Sequence, residues 1–123
     1  MNSNFSKILR VILGLGLIIF GLNKFFGFMP IPVLPEDASS FMSSLQATGY
    51  VLPVVGFLEI LIGLMLIANK AVAFSLLLLA PISANILLFH LFLDLPGIGG
   101  AILIAVINII LIYKSWKVYK PLF

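Results

Sequence analysis

The sequence predicts an all-α integral membrane protein: a bundle of four transmembrane helices, with a short amphipathic surface helix between the first two. The 123 residues are 63% hydrophobic and only 9% charged. A water-soluble domain of this length could not bury that much apolar surface. Four apolar runs also approach the roughly 20 residues that a helix needs to cross a bilayer core. We therefore expect residues 1–123 to form a single four-helix transmembrane domain.

The first apolar run extends from Ile8 to Phe28 and carries Lys7 and Arg10 at its start. A charged start followed by an apolar run is also typical of a secretory signal sequence. No small-x-small cleavage site follows before Pro30. This segment is therefore predicted to be an uncleaved first helix.

The only long connection, Met29 to Tyr50, begins with a proline-rich stretch that cannot continue a helix. Pro35, followed by Glu36 and Asp37, is a favourable helix start, and Gly49 is a natural stop. Between them, apolar residues recur at helical spacing, namely Ala38, Phe41, Met42 and Leu45. These features predict a short amphipathic helix on the membrane surface.

The remaining runs are Val51 to Ala68, Ala71 to Leu93 and Ile98 to Tyr113. Because the number of spans is even, both termini lie on the same side of the membrane. Six of the seven basic residues fall on that side: Lys7, Arg10, Lys70, Lys114, Lys117 and Lys120. Since translocation of positive charge is disfavoured, both termini are predicted to be cytoplasmic. Tyr113, Trp116 and Tyr119 are then expected in an aromatic belt at that interface.

Composition also excludes several function classes. The chain has no cysteine and a single histidine. It therefore lacks the ligands for a thiolate metal centre, a thiol relay or a haem held by two histidines, and we expect no metal site. The basic residues form no block with interleaved aromatic residues, so no nucleic-acid partner is expected.

Several polar side chains lie inside the predicted spans, where an ionised group costs about 2.5–3.5 kcal/mol at the helix centre. A rise of about 1.5 Å per residue places five of them in the outer half of the bilayer. They are Lys24, Glu59, Asn85, His90 and Asn108. The first four are the candidates for ligand binding or proton exchange, with Asn108 and the boundary residue Asp94 as secondary candidates.

Helical faces suggest how these groups meet. Gly14 and Gly21 share a face with Lys24, and Gly56 and Gly63 share one with Glu59. Since glycines allow helices to approach closely, we expect these faces to pack and Lys24 to pair with Glu59. Asn85 and His90 lie about 140° apart on an ideal helix and are expected to flank one cavity.

Structural roles remain open for the same residues. Lys24 can extend its ammonium to the head groups, and Glu59 can be a purely structural partner or a protonated acid. His90 can be a boundary residue hydrogen-bonded to Asp94, and the asparagines can join helices.

The chain resembles the DoxX-like family of small bacterial membrane proteins over nearly its whole length. The motifs that carry the resemblance are Gly-Leu-Asn-Lys (21–24), Thr-Gly-Tyr (48–50), Gly-Phe-Leu-Glu-Ile-Leu-Ile-Gly (56–63), Asn-Ile-Leu-Leu-Phe-His-Leu-Phe-Leu (85–93) and the ending Tyr-Lys-Pro-Leu-Phe. The resemblance implies a four-helix bundle in the bacterial cytoplasmic (inner) membrane. Some relatives are subunits of a thiosulfate:quinone oxidoreductase, and others are associated with complexes that protect against oxidative stress.

Three functions are compatible with these residues. The first is a subunit of a quinone-linked or oxidative-stress-related redox complex, with a polar pocket in the outer half of the bilayer and a quinone as candidate cofactor. If the chain takes part in catalysis, we expect an oxidoreductase component rather than a stand-alone enzyme, because no cysteine can hold a sulfur intermediate. The alternatives are a small transporter or proton-coupled carrier, and a noncatalytic scaffold. The candidate partners are the lipid bilayer, another membrane or redox subunit, and a second copy of the chain.

Overall fold

The computed structural model describes residues 3–30 and 32–123. Its helices are α1 (Asn4–Phe26), α2 (Glu36–Ala47), α3 (Val51–Ala68), α4 (Val72–Leu93), α5 (Ile98–Lys114) and α6 (Trp116–Tyr119), with 3-10 turns at Leu95–Gly97 and Lys120–Leu122. Among these described residues, four stretches are long and apolar enough to cross a membrane: Asn4–Phe26, Val51–Ala68, Val72–Leu93 and Leu95–Lys114. The predicted four-helix fold is confirmed, and the short helix predicted between the first two spans is present as α2. Gly49, the predicted stop of α2, adopts a left-handed φ of 77°.

The four long helices form a ring in which α1 packs along α3, α4 along α5, and the two pairs meet through α3 with α4 and α1 with α5. At one end, Arg10 near the start of α1 contacts the end of α3, and Tyr119 donates a hydrogen bond to the carbonyl oxygen of Ala73 at 2.7 Å. We call this the terminal end. The opposite end, which carries α2, is the α2 end.

The interface between α1 and α3 is antiparallel and depends on glycine. A Cβ atom on Gly63 would lie 2.6 Å from the carbonyl oxygen of Gly14, and one on Gly21 would lie 2.7 Å from that of Gly56. Both distances are shorter than a carbon–oxygen contact allows. The packing faces predicted from the glycine spacing are therefore confirmed, since only glycine permits the two backbones to approach this closely.

A continuous apolar core fills the bundle from its middle to the terminal end. Its buried members are Leu13, Leu17, Ile62, Leu66, Leu76, Leu79, Ile107 and Leu111. All eight lie in the middle or the terminal half of their helices. Among the described residues, no second cluster of buried apolar side chains occurs in the α2 half of the bundle, and the cavity described below lies there.

Two residues assigned to the terminal interface are instead buried. Arg10 is only 4% exposed, and its guanidinium donates hydrogen bonds to the carbonyl oxygens of Leu66 and Ile67 at the end of α3. A cation there complements the negative end of the helix dipole. Tyr119 is buried against α4, and burial raises its pKa above the ordinary value. Of the three residues expected in an aromatic belt, Tyr113 and Trp116 are exposed and Tyr119 is not.

Candidate functional site

A cavity of about 930 Å³ lies in the α2 half of the bundle. All four long helices contribute to its walls, and α2 contributes to its lining as well. Most of the lining is apolar, as at Phe20, Leu52, Ile82 and Ile104. Its polar side chains are the four primary candidates from the sequence, Lys24, Glu59, Asn85 and His90.

The deepest polar feature is an ion pair. Nζ of Lys24 lies 2.6 Å from Oε1 of Glu59, and the two side chains are 24% and 2% exposed, respectively. The stem of Lys24 packs over Gly56, where an added Cβ would lie 3.1 Å from the Cβ of Lys24. The ammonium thus points inward to the carboxylate rather than outward to the head groups. The pair expected from the glycine faces is present.

His90 is oriented by Asp94, one helical turn further along the chain. Its Nδ1 lies 3.1 Å from Oδ2 of Asp94 and 3.2 Å from the backbone oxygen of the same residue. Because both neighbours are acceptors, Nδ1 must carry the hydrogen, and in the neutral ring Nε2 keeps its lone pair. Gly97 makes room for this contact, since a Cβ there would lie 2.5 Å from Oδ2. Asp94 does not itself line the cavity but fixes the tautomer of a residue that does.

Asn85 lies on the outer part of the cavity lining and is exposed. Its side-chain amide donates to the carbonyl oxygen of Pro81 at 2.8 Å. As expected from their angular separation, Asn85 and His90 line one cavity from different faces of α4.

Asn108 is not among the lining residues. It is buried between α4 and α5, where its Oδ1 accepts a hydrogen bond from Ser83 at 3.0 Å and its Nδ2 donates to the carbonyl oxygen of Leu76 at 3.2 Å. Its polar groups are therefore used to join helices, which is the structural role left open for it. The rise per residue predicted the depth of Asn108 in the bilayer but not the direction in which its side chain points.

Helix α2 covers part of the cavity with its apolar face. Phe41, Met42 and Leu45 line the cavity, and the ring of Phe41 lies 5.7 Å from that of Phe89 on α4. The helical spacing of these residues predicted the apolar face, but the face was assigned to the membrane surface. The structure places it over the cavity instead.

The cavity thus combines apolar walls with an ion pair and an oriented imidazole. Such a site suits an apolar molecule with a few polar atoms, and it offers groups that can donate and accept protons. Within residues 3–30 and 32–123, no group of three or more His, Cys, Asp or Glu side chains is placed to hold a metal ion.

Comparison with known proteins places the chain in a family. No curated protein and no solved structure matches it. A family model described as DoxX matches residues 5–91, which is more than half of the chain. The match includes Lys24, Glu59, Asn85 and His90, the polar residues of the cavity. The chain therefore belongs to the DoxX family.

Proposed function

We propose that this DoxX protein is a subunit of a quinone-linked membrane redox complex and that its cavity holds the head group of a quinone. One observation carries the proposal: the Lys24–Glu59 pair and His90 line the same apolar cavity of about 930 Å³. That volume is within the range of about 300–1,000 Å³ typical of small-molecule sites.

The polar groups fit the chemistry of a quinone head group. The Lys24 ammonium can donate a hydrogen bond to a ring carbonyl, and neutral His90 can accept one at Nε2 from a ring hydroxyl. A bound quinone supplies two-electron, two-proton chemistry, with the electrons passing to or from a partner subunit. Glu59 and His90 are the residues of this chain that can exchange the protons.

We further propose that the protein lies in the bacterial cytoplasmic membrane with both termini inside. Charge asymmetry supports this orientation. Lys7, Lys70 and the lysines after α5 gather at the terminal end, whereas the acids Glu36 and Asp37 begin α2 at the opposite end. Positive charge near membrane helices favours the cytoplasmic side.

Binding measured in lipid nanodiscs tests the function. Wild type and the variants Glu59→Gln and His90→Ala are titrated with a decyl-substituted benzoquinone and with the corresponding quinol, and quinone retained through purification is extracted and quantified. We expect Glu59→Gln to bind the quinone at least about tenfold more weakly, because the carboxylate no longer holds the Lys24 ammonium in the cavity. We expect His90→Ala to bind the quinol at least about tenfold more weakly, because the ring hydroxyl loses its acceptor. Leu77→Ala, at an exposed position outside the cavity, is the matched control. Absence of binding in wild type, or equal binding in all four proteins, would overturn the proposal.

A second candidate, a noncatalytic scaffold, is favoured by one observation. The charges of Lys24 and Glu59 already satisfy each other, so the pair could serve packing alone. A scaffold retains its function when both residues are replaced by apolar ones, because an apolar pair can substitute for a buried ion pair. A quinone site does not.

A further inference from the structure

One stripe of α4 is exposed and yet lines the cavity. It consists of Pro81, Asn85, Leu88 and Phe92, spaced by four, three and four residues and therefore on one face of the helix. Leu88 is 48% exposed and Phe92 is 80% exposed. We call these four residues the α4 stripe.

The α4 stripe faces away from the protein core. Pro81 lies about 160° around an ideal helix from Ser83, which is buried against α5. The stripe begins near the middle of α4 and ends close to Leu93, a length of about 17 Å. Since α4 is a membrane span, this face contacts hydrocarbon. The cavity is thus continuous with a surface that meets lipid.

Helix α2 lies at the other approach to the cavity. Phe41, Met42 and Leu45 of α2 contribute to the lining at the end where the bundle meets water. A water-soluble ligand would have to pass this apolar surface. A ligand dissolved in the bilayer meets the cavity directly along α4.

We propose that the cavity is reached sideways from the bilayer and that its ligand is an amphiphile whose single apolar chain lies along the α4 stripe while its head lies at Lys24 and Glu59. This inference rests on the proposed quinone function and extends it. It assigns the α4 stripe a role in binding and gives the natural ligand an apolar chain in addition to its head group.

The α4 stripe leaves a path for the apolar chain of the ligand and does not attract that chain. Lipid tails are as apolar as leucine, so a chain gains little by leaving lipid for the stripe. The head can sit at the ion pair only if the chain has a free path out. A bulky side chain in that path therefore excludes a ligand that has a chain and leaves a chainless ligand unaffected.

The test uses two ligands and two variants in nanodiscs of one lipid composition. The ligands are a decyl-substituted benzoquinone and the same ring without the chain. Leu88→Trp obstructs the stripe. Leu77→Trp is the matched control, because Leu77 is 42% exposed on the same helix but lies outside the cavity lining. Affinities are compared as ratios to wild type, so that partitioning of each ligand into lipid cancels.

We expect Leu88→Trp to weaken binding of the decyl ligand by about tenfold or more, with the chainless ring unchanged. Leu77→Trp should change neither ratio. If both ligands bind wild type and Leu88→Trp affects neither, or affects both equally, the sideways route is wrong and the quinone function stands. If neither ligand binds wild type, both proposals fail.

Native mass spectrometry of the same samples identifies other occupants of the stripe. A phospholipid, or a second copy of the chain, that is retained in wild type and lost in Leu88→Trp would assign the stripe to that occupant and overturn the proposal. Thermal unfolding confirms that both tryptophan variants are folded; if Leu88→Trp is not, Phe92→Trp is used in its place, with the same expected outcomes.

Discussion

Glu59 Oε1 lies 2.6 Å from Lys24 Nζ beside the contact between Gly21 and Gly56, so the ion pair and one of the two close glycine contacts between α1 and α3 occupy the same place. The glycines bring α1 and α3 together, and the lysine stem crosses the second glycine to reach the carboxylate. Packing and charge pairing therefore support each other at this point.

Substitution of Lys24 is predicted to destabilise the protein more than substitution of Glu59. Lys24→Met leaves the carboxylate of Glu59 buried without its partner and should lower the free energy of unfolding by about 3 kcal/mol. Glu59→Leu should cost less, because Lys24 is 24% exposed and its ammonium can turn toward the head groups. Unfolding in mixed micelles with increasing denaturing detergent measures both values.

The double variant Lys24→Met with Glu59→Leu should recover most of that stability but no quinone binding. Recovery of both would support the scaffold. If the double variant is less stable than either single variant, the pair stabilises the fold by more than the neutralisation of one charge by the other.

Glycines of the packed helices α1 and α3 should differ sharply in their tolerance of a methyl group. Gly63→Ala would place its Cβ 2.6 Å from the backbone oxygen of Gly14, so α1 and α3 must separate, at a cost of about 1–3 kcal/mol. Gly16→Ala meets no atom within 4 Å and should stabilise α1 by up to about 1 kcal/mol. Equal effects of the two variants on unfolding would contradict the described interface.

Substitution of Asn108 is predicted to affect stability alone, and substitution of Asn85 is predicted to affect ligand binding alone. Asn108→Leu removes the hydrogen bonds with Ser83 and Leu76 and should destabilise the protein by about 1 kcal/mol, with ligand affinity unchanged. Asn85→Leu, at an exposed position on the cavity lining, should change affinity and leave unfolding nearly unaltered. The reverse assignment of effects would show that the wrong asparagine has been placed in the site.

His90 is the single histidine of the chain, so its ring nitrogens can be observed without ambiguity. In protein labelled with ¹⁵N at histidine, the neutral ring should show the hydrogen on Nδ1, held by Asp94. Asp94→Leu removes the carboxylate acceptor and should shift the population toward the Nε2–H tautomer, with weaker quinol binding. An Nε2–H tautomer in wild type would contradict the proposed orientation.

Tyr119 should make stability depend on pH in the alkaline range. Burial raises its pKa above the ordinary value of 10.0, so the neutral phenol stabilises the folded state. This contribution is complete below pH 10 and is lost as pH rises through the folded-state pKa. Tyr119→Phe should lower stability by about 1 kcal/mol at neutral pH through loss of the bond to Ala73, and should lack the alkaline decline. The wild-type minus variant difference in unfolding free energy against pH isolates this residue from the lysines.

Features of the fold that depend on residues close together along one helix can be predicted from the sequence. The spans follow from their apolar length, and the Lys24–Glu59 contact follows from glycines on the same two faces. Contacts between the ends of different helices could not be predicted in this way. Arg10 looked like one of six orienting charges, although its spacing of four from Gly14 placed it on the face that packs against α3. Nothing local indicated that Tyr119 would reach Ala73, or that α2 would cover a cavity, because both depend on how far the helices diverge at each end.

The leucine-rich core closes the bundle from its middle to the terminal end, and the cavity occupies only the other half. The part of the bundle in one leaflet of the bilayer therefore differs in structure from the part in the other leaflet. Molecules that diffuse in the leaflet at the terminal end meet the part of the bundle that the leucine-rich core fills, while those in the other leaflet pass an opening beside α4. A solute that crosses slowly between leaflets is thus sampled from one side only, and its concentration there, rather than in the membrane as a whole, sets how often the cavity is filled.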